Sequence, residues 1–239
     1  MASKSIVFDN KTFDISYEII NPKCKKDIVF LHGWGSNKDI MKNVFSLYLK
    51  DFRHIYIDLP GFGKSANEYE LTTKEYAKIT EEFLKLLKSN KEIIAGHSYG
   101  GKVATLLNPK NLVLLSSAGI LEEKSFEVKT KIAFAKICNA LGLNKLTKMF
   151  RSSDVKSMNE GMYATFKNVV NEDFSSFFSK YKNNALIFWG KEDIATSLES
   201  GKKIASLINS STFISYDGDH YFFVKNAKDI SERIENGIL

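Results

Sequence analysis

Short apolar runs alternate with segments of helical periodicity along most of the chain. The runs at 27–31 and 112–115 are rich in Val, Ile and Leu and show no alternation with polar residues, which is typical of strands covered on both faces. Between such runs lie helical segments, and in one of them Thr72 and Glu75 form a capping box ahead of apolar residues at helical spacing. The alternation predicts βα units and a parallel sheet.

The chain opens differently, with a predicted antiparallel hairpin. Residues 5–9 and 12–20 are strand-like and flank an Asp-Asn-Lys turn. A helix is predicted around 201–208, and a closing helix from about Ala227. The remaining predicted strands are the apolar runs at 27–31, 54–57, 92–95, 112–115, 185–189 and 212–216.

The alternation stops between residues 121 and 183. This block contains no good strand, but it has helical stretches such as 128–141 and 158–170. Because the βα rhythm resumes afterwards, we expect a helical insertion rather than a separate domain. The predicted organisation is one core of residues 1–120 and 184–239 with an insertion of residues 121–183, and a chain of 239 residues is long enough for one such α/β domain.

The charge balance is basic, with 34 Lys and Arg against 28 Asp and Glu and a net charge of +6. Most of the excess lies in the block 121–183, which has 11 basic and 7 acidic residues. The lysines are scattered singly, without the Arg-rich clusters or interleaved aromatics of a nucleic-acid platform. We therefore expect that the protein does not bind nucleic acid. The electrostatic field of its net positive charge favours only an acidic partner or an anionic substrate.

Neither a membrane span nor a secretory signal is expected. No run of 18 uncharged apolar residues occurs, and the amino-terminal segment has no apolar run before Asp9. Cys24 and Cys138 lie far apart in the sequence and form no ligand cluster. We therefore expect two reduced thiols in a cytoplasmic protein. No metal motif is present, and residues 61–65 lack the full spacing of a phosphate-binding loop, so we predict no cofactor and no metal.

The candidate chemistry begins at the sequence GHSYG of residues 96–100, which lies between a predicted strand and a predicted helix. A turn this sharp needs small residues on both sides of the serine, and it projects the hydroxyl from the sheet edge. Ser98 is therefore the predicted nucleophile. A serine hydroxyl is a poor nucleophile near neutrality, so it needs a base held in one tautomer by an acid.

His220 is the predicted base, because it alone among the four histidines lies on a loop after a late strand. His32 and His97 belong to other motifs, and His54 opens a strand, where we expect a surface position. Asp193 is the predicted orienting acid, since it follows the end of a predicted strand and open α/β sheets place their sites there.

Two backbone N–H groups are the predicted donors to a developing oxyanion. One belongs to Tyr99, immediately after the nucleophile, and the other to Trp34 in the loop after the first core strand. The glycines beside Trp34 let this loop approach closely.

Together these motifs resemble the α/β-hydrolase fold family, in the chain order nucleophile, acid, histidine. The resemblance implies an α/β-hydrolase fold: a mostly parallel eight-stranded sheet flanked by helices, with a helical cap inserted after strand six. It also implies that Asp58 holds loops rather than doing chemistry. The segments that carry it are HGWG at 32–35, DLPGFGKS at 58–65, GHSYGG at 96–101, GKED at 190–193 and GDH at 218–220.

The activity implied by the resemblance is that of a cofactor-free, carboxylesterase-like serine hydrolase acting on a small acyl ester or thioester. The opening strand and residues 32–35 are similar to carboxylesterases that demethylate pimeloyl esters on acyl carrier protein, which raises an acidic carrier protein as a partner. Carbon–carbon bond hydrolases of aromatic ring degradation share the fold, cap and triad, but their elbow usually has GNSMG. Ser98 excludes haloalkane dehalogenase and epoxide hydrolase chemistry, which need an aspartate there.

A third alternative is a hydrolase-like protein that binds a ligand without catalysis. Such proteins usually lose a triad member or an oxyanion-loop glycine. All of these residues are present here, which favours an enzyme.

Overall fold

A computed structural model describes residues 2–121 and 158–238 of the protein. Its strands are β1 (Ala2–Phe8), β2 (Lys11–Ile20), β3 (Lys26–Leu31), β4 (Phe52–Ile57), β5 (Ile93–His97), β6 (Asn111–Leu115), β7 (Asn184–Gly190) and β8 (Ser211–Tyr216). Its helices are α1 (Lys38–Phe45), α2 (Thr73–Leu86), α3 (Tyr99–Leu107), α4 (Glu160–Val169), α5 (Ser175–Lys180), α6 (Leu198–Leu207) and α7 (Phe223–Ile238).

The strands of the described residues form one eight-stranded sheet in the order β1-β2-β4-β3-β5-β6-β7-β8. The hairpin strand β2 pairs antiparallel with both β1 and β4. All other neighbouring strands are parallel. The predicted hairpin and the predicted parallel sheet are both confirmed.

Helices cover both faces of the sheet, which explains the unbroken apolar runs. In β3, Ile28 and Phe30 face a layer that includes residues of α1 and α7. The alternate residues Val29 and Leu31 face a second layer that includes residues of α2, α3 and α6. Because successive side chains point to opposite faces of a sheet, a strand buried on both faces needs apolar residues at every position.

The helix boundaries follow capping and packing. Thr72 and Glu75 form the predicted capping box at the start of α2. The closing helix α7 begins at Phe223 rather than near the predicted Ala227, and the Phe223 ring is buried in the core. Helix α1, for which the sequence pattern gave no prediction, begins after Asn37, whose side chain accepts a hydrogen bond from the Asp39 N–H.

The expectation of a surface position for His54 is wrong. Its imidazole is buried against Phe30 and Tyr56. One ring nitrogen lies 2.8 Å from the Tyr56 hydroxyl and the other 2.9 Å from the Leu49 carbonyl oxygen. Burial lowers the pKa of His54, and these two partners satisfy a neutral ring.

The predicted insertion is described only in part. Residues 158–183 contain α4 and α5 and lie between β6 and β7, and the predicted helix at 158–170 corresponds to α4. The predicted helical stretch at 128–141 lies outside the described residues, so the division into core and cap stays a prediction. In the described part of the chain, no helix has the length and apolar character needed to cross a membrane.

Candidate active site

Three of the predicted site residues follow the carboxyl ends of three parallel strands. Ser98 follows β5, and Asp193 and His220 lie on the loops after β7 and β8. The strand β6 pairs with both β5 and β7, and β7 pairs with β8. The three loops therefore emerge at one edge of the sheet, where open α/β sheets place their ligands.

Ser98 has a backbone conformation that L-amino acids rarely adopt, with φ +51° and ψ −116°. It joins β5 directly to α3, and the flanking glycines make this sharp turn possible. A methyl group on Gly96 would lie 2.4 Å from the Gly100 carbonyl oxygen, and one on Gly100 would lie 2.5 Å from the Leu31 carbonyl oxygen. Both contacts are with backbone, so these positions need glycine for its size.

The carboxylate of Asp193 is fully buried and receives four hydrogen bonds. Its Oδ2 accepts from Nδ1 of His220 at 2.8 Å and from the Thr196 hydroxyl at 2.9 Å. Its Oδ1 accepts from the N–H groups of Ala195 and Thr196 at 2.8 and 2.9 Å. Burial by itself would raise the pKa of Asp193, but the bonds from His220 and Thr196 lower the pKa to about 2. The carboxylate is therefore ionised at neutral pH.

The structure thus brings Asp193 and His220 together, and Thr196 completes the group with its hydroxyl 3.5 Å from Nδ1 of His220. Within the described residues, no hydrogen bond joins the Ser98 hydroxyl to the His220 ring. In many enzymes the hydrogen bond between nucleophile and base tightens only when substrate binds.

His97 is a neighbour of the site that sequence reasoning did not identify, because it was taken only as part of the elbow motif. Its Nε2 lies 3.0 Å from the carbonyl oxygen of His220, and the two ring centroids are 4.6 Å apart. Burial, helped by the proximity of the His220 ring, lowers the pKa of His97 to about 3. The ring is therefore neutral and carries its proton on Nε2, where it donates to that carbonyl.

The predicted oxyanion donors lie beside Ser98. The Tyr99 N–H is the first of α3 and has no carbonyl partner within the helix. Gly33, which precedes Trp34, lies so close that a methyl group on it would be 3.1 Å from Cβ of Ser98. Neither the Tyr99 nor the Trp34 N–H donates to an acceptor within the described residues.

Two buried residues hold the loops around this edge. The Asp58 carboxylate accepts from the Lys38 N–H at 2.8 Å, the Lys38 ammonium at 2.7 Å and the Lys64 N–H at 3.1 Å. Nε2 of His32 accepts from the Leu59 N–H at 3.0 Å, and burial lowers the pKa of His32 to about 4. This is the loop-holding arrangement expected for Asp58.

A cavity of about 340 Å³ opens beside Ser98. A second cavity, of about 360 Å³, lies at the amino ends of β6, β7 and β8 and contains no predicted site residue. No group of three or more His, Cys, Asp or Glu within the described ranges is arranged to hold a metal ion. The residues around the first cavity include Trp34, Ser98, Tyr99, Lys102, residues 117–121, Phe166, residues 169–172, Ala195, Thr196 and Ser200.

A family model described as the alpha/beta hydrolase family matches residues 28–179. The chain belongs to this family. The hydrolase is 31% identical over 198 residues to a pimeloyl-[acyl-carrier protein] methyl ester esterase of Wigglesworthia glossinidia brevipalpis, a match that covers 80% of this chain and 70% of the relative. It is 28% identical over 170 residues to a putative esterase/lipase 2 of Mycoplasma pneumoniae, covering 67% of this chain and 62% of the relative.

Solved structures of other proteins share the fold of this chain over almost its whole length. An esterase from Exiguobacterium antarcticum superposes with a TM-score of 0.74 at 22% identity, covering 95% of this chain and 96% of the other. A thermophilic esterase from Thermogutta terrifontis gives a TM-score of 0.76 at 18% identity, covering 100% and 98%. The predicted α/β-hydrolase fold is confirmed.

Proposed function

We propose that this hydrolase is a serine esterase that cleaves a carboxylic ester or thioester through an acyl-enzyme intermediate. The observation that carries the proposal is the hydrogen bond of 2.8 Å between the buried Asp193 and His220, on the same sheet edge as the strained Ser98. Its esterase relatives support the same chemistry.

In the acylation step, the Ser98 hydroxyl attacks the carbonyl carbon and its proton passes to Nε2 of His220. The imidazolium then gives that proton to the leaving alcohol or thiol. The ionised Asp193 accepts the Nδ1–H of His220, so it fixes the tautomer that leaves Nε2 free to act as a base and it stabilises the cation that forms.

The carbonyl oxygen becomes negative during this attack. The N–H groups of Trp34 and Tyr99 then donate to it, and such preorganised donors are worth about 3–4 kcal/mol each. In the second step a water molecule, deprotonated by His220, attacks the acyl-enzyme and releases the acid. His220 returns the proton to Ser98, and the enzyme is restored.

One relative, a pimeloyl-[acyl-carrier protein] methyl ester esterase, suggests a candidate natural substrate: a methyl ester carried by an acyl carrier protein. An acidic carrier would be attracted electrostatically by the block 121–183, with its 11 basic and 7 acidic residues. An ester series from acetyl to decanoyl, assayed with and without acyl carrier protein, tests this. Faster turnover of a carrier-bound methyl ester than of the free ester supports the carrier as a partner, and equal turnover removes it.

The test of the chemistry combines labelling and mutation. A fluorophosphonate probe should label Ser98 in the folded enzyme, and Ser98→Ala should lose nearly all ester turnover, because triad members act as a unit. Retention of most activity by Ser98→Ala contradicts the assignment. An enzyme that is not labelled would instead be a ligand binder, and faster turnover of a vinylogous 1,5-diketone than of any ester would make it a carbon–carbon bond hydrolase.

A further inference from the structure

An ion pair lies in the wall of the cavity that holds Ser98. Nζ of Lys102 is 2.8 Å from Oε2 of Glu172, and both residues line the cavity. Lys102 belongs to α3, the helix that begins directly after Ser98, and Glu172 lies just beyond the end of α4. The pair therefore joins the helix of the proposed nucleophile to the segment that follows α4.

The Lys102 ammonium already has hydrogen-bond partners within the protein. Besides Glu172, the Lys102 ammonium donates to the Val169 carbonyl oxygen at 2.6 Å, at the carboxyl end of α4, where carbonyls lack helical partners. It also lies 5.4 Å from the ring centroid of Tyr99 and 5.0 Å from that of Phe174. The side chain is only 2% exposed, so no incoming anion reaches it directly.

The accessible member of the pair is the carboxylate, since 28% of the Glu172 side chain is exposed. Its Oε2 accepts from Lys102 and also from the Thr73 hydroxyl. Oε1 has no hydrogen-bond partner in residues 2–121 and 158–238. Of the two charged groups that line the cavity, the carboxylate is therefore the more accessible to a ligand.

Stability alone does not explain an ion pair at this position. Desolvating two charges offsets most of their attraction, and replacing a buried pair by apolar residues is often neutral or stabilising. An apolar wall would also suit a simple acyl chain. We propose, on the basis of the esterase function above, that the acyl chain of the substrate occupies this cavity and that the Lys102–Glu172 pair makes the cavity selective for uncharged acyl groups and against acyl groups that end in a carboxylate.

The physical reason is that Lys102, the one cationic side chain among the described residues that line the cavity, is already paired. A carboxylate entering the pocket loses water and meets Glu172, while the Lys102 charge is shared between Glu172 and the Val169 carbonyl. An uncharged chain pays neither cost. The pair thus acts on substrate choice and takes no part in the bond-making steps.

The test compares two 4-nitrophenyl esters of equal chain length, the hexanoate and the monoester of adipic acid, after subtraction of spontaneous hydrolysis. The second differs from the first only in ending with a carboxylate. For the wild-type enzyme we expect kcat/KM to favour the hexanoate by about tenfold or more. Glu172→Gln removes the carboxylate and leaves Lys102 unneutralised, so the ratio should shift toward the adipate monoester by about tenfold or more.

Matched variants separate this effect from general damage. Glu172→Asp keeps the charge and should keep the preference. Glu82→Gln removes the same charge from an exposed pair with Lys85 that does not line the cavity, and it should keep the wild-type ratio. If thermal denaturation shows that Glu172→Gln does not fold, Lys102→Met/Glu172→Gln, which removes both charges, should narrow the ratio in the same direction.

The outcomes distinguish this inference from the proposed function. Equal hydrolysis of both esters by the wild-type enzyme, or an unchanged ratio in folded variants that lack Glu172, overturns the inference while ester turnover and Ser98 labelling leave the function standing. Absence of both turnover and labelling overturns the function and this inference with it.

Discussion

The strained backbone of Ser98 is held in place by its neighbours. A residue in such a conformation costs about 1–3 kcal/mol and persists only where the surroundings over-determine it. The Ser98 N–H donates to the Leu115 carbonyl at 3.1 Å, and the Ser98 carbonyl accepts from the N–H groups of Gly101 and Ala118, both at 3.0 Å. These bonds to α3 and to β6 and its following loop hold the backbone from which the serine side chain projects.

His97 is expected to position His220 rather than to touch substrate. His97→Phe removes the N–H that donates to the His220 carbonyl and should lower kcat about tenfold, the effect of about 1.4 kcal/mol, with little change in KM. His97→Gln retains a side-chain N–H donor and should recover most of the loss. Steady-state kinetics and pH–rate profiles of both variants check this, and wild-type kcat in His97→Phe would show that the contact has no role.

At the scale of elements, the site depends on how closely α3 approaches the strands. Gly100 lies in the first turn of α3, against the Leu31 carbonyl at the end of β3. Side chains at this point would push the helix away from the sheet and turn Ser98 with it. The small residues of the elbow thus serve helix–sheet packing as well as the sharp turn.

Gly100→Ala is expected to destabilise the enzyme by about 1–3 kcal/mol through overpacking and to reduce activity, because its methyl group would lie 2.5 Å from a backbone oxygen. Denaturant unfolding and ester turnover measure the two effects. Gly237→Ala is the control, since a methyl group there would meet its nearest neighbour at 3.4 Å, on a side chain. Equal stability of the two variants would contradict this packing argument.

At the scale of the whole molecule, the buried Asp193 links stability to pH. Its pKa of about 2 in the folded protein lies below the ordinary value of 3.8. An acid with a lowered folded-state pKa stabilises the fold fully above its unfolded pKa, and this stabilisation is lost as pH falls through the folded pKa.

The free energy of unfolding should therefore contain an Asp193 contribution of about 2 kcal/mol above pH 4 that fades between about pH 4 and pH 2. Asp193→Asn lacks this contribution. Urea unfolding of both proteins at several pH values should show a stability difference that shrinks on acidification. A difference that is constant or grows as pH falls would contradict the assigned ionisation.

The sequence predicted much of the architecture because the relevant signals are local. Apolar runs located the strands to within a few residues, and the capping box located α2. Helix α1 carries local signals of the same kind, an N-cap at Asn37 and apolar residues at helical spacing (Met41, Val44 and Phe45), although the prediction omitted it. Only the burial of its first residue, Lys38, beside Asp58, 20 residues away in the chain, depends on the fold. His54 misled because its buried position depends in part on residues outside its own strand, Phe30 of β3 and the Leu49 carbonyl oxygen.

The sequence by itself determined the order of strands and helices, the elbow around Ser98 and the candidate acid and base, since each depends on residue types at short spacing. Tertiary structure alone decided that His97 holds the carbonyl of a residue 123 positions away, and that Lys102 pairs with Glu172 70 positions away. The sheet order brings such residues together, and no short-range pattern records that order. Contacts of this kind follow from how whole elements pack, because burial forces polar groups to find partners wherever the fold has placed them.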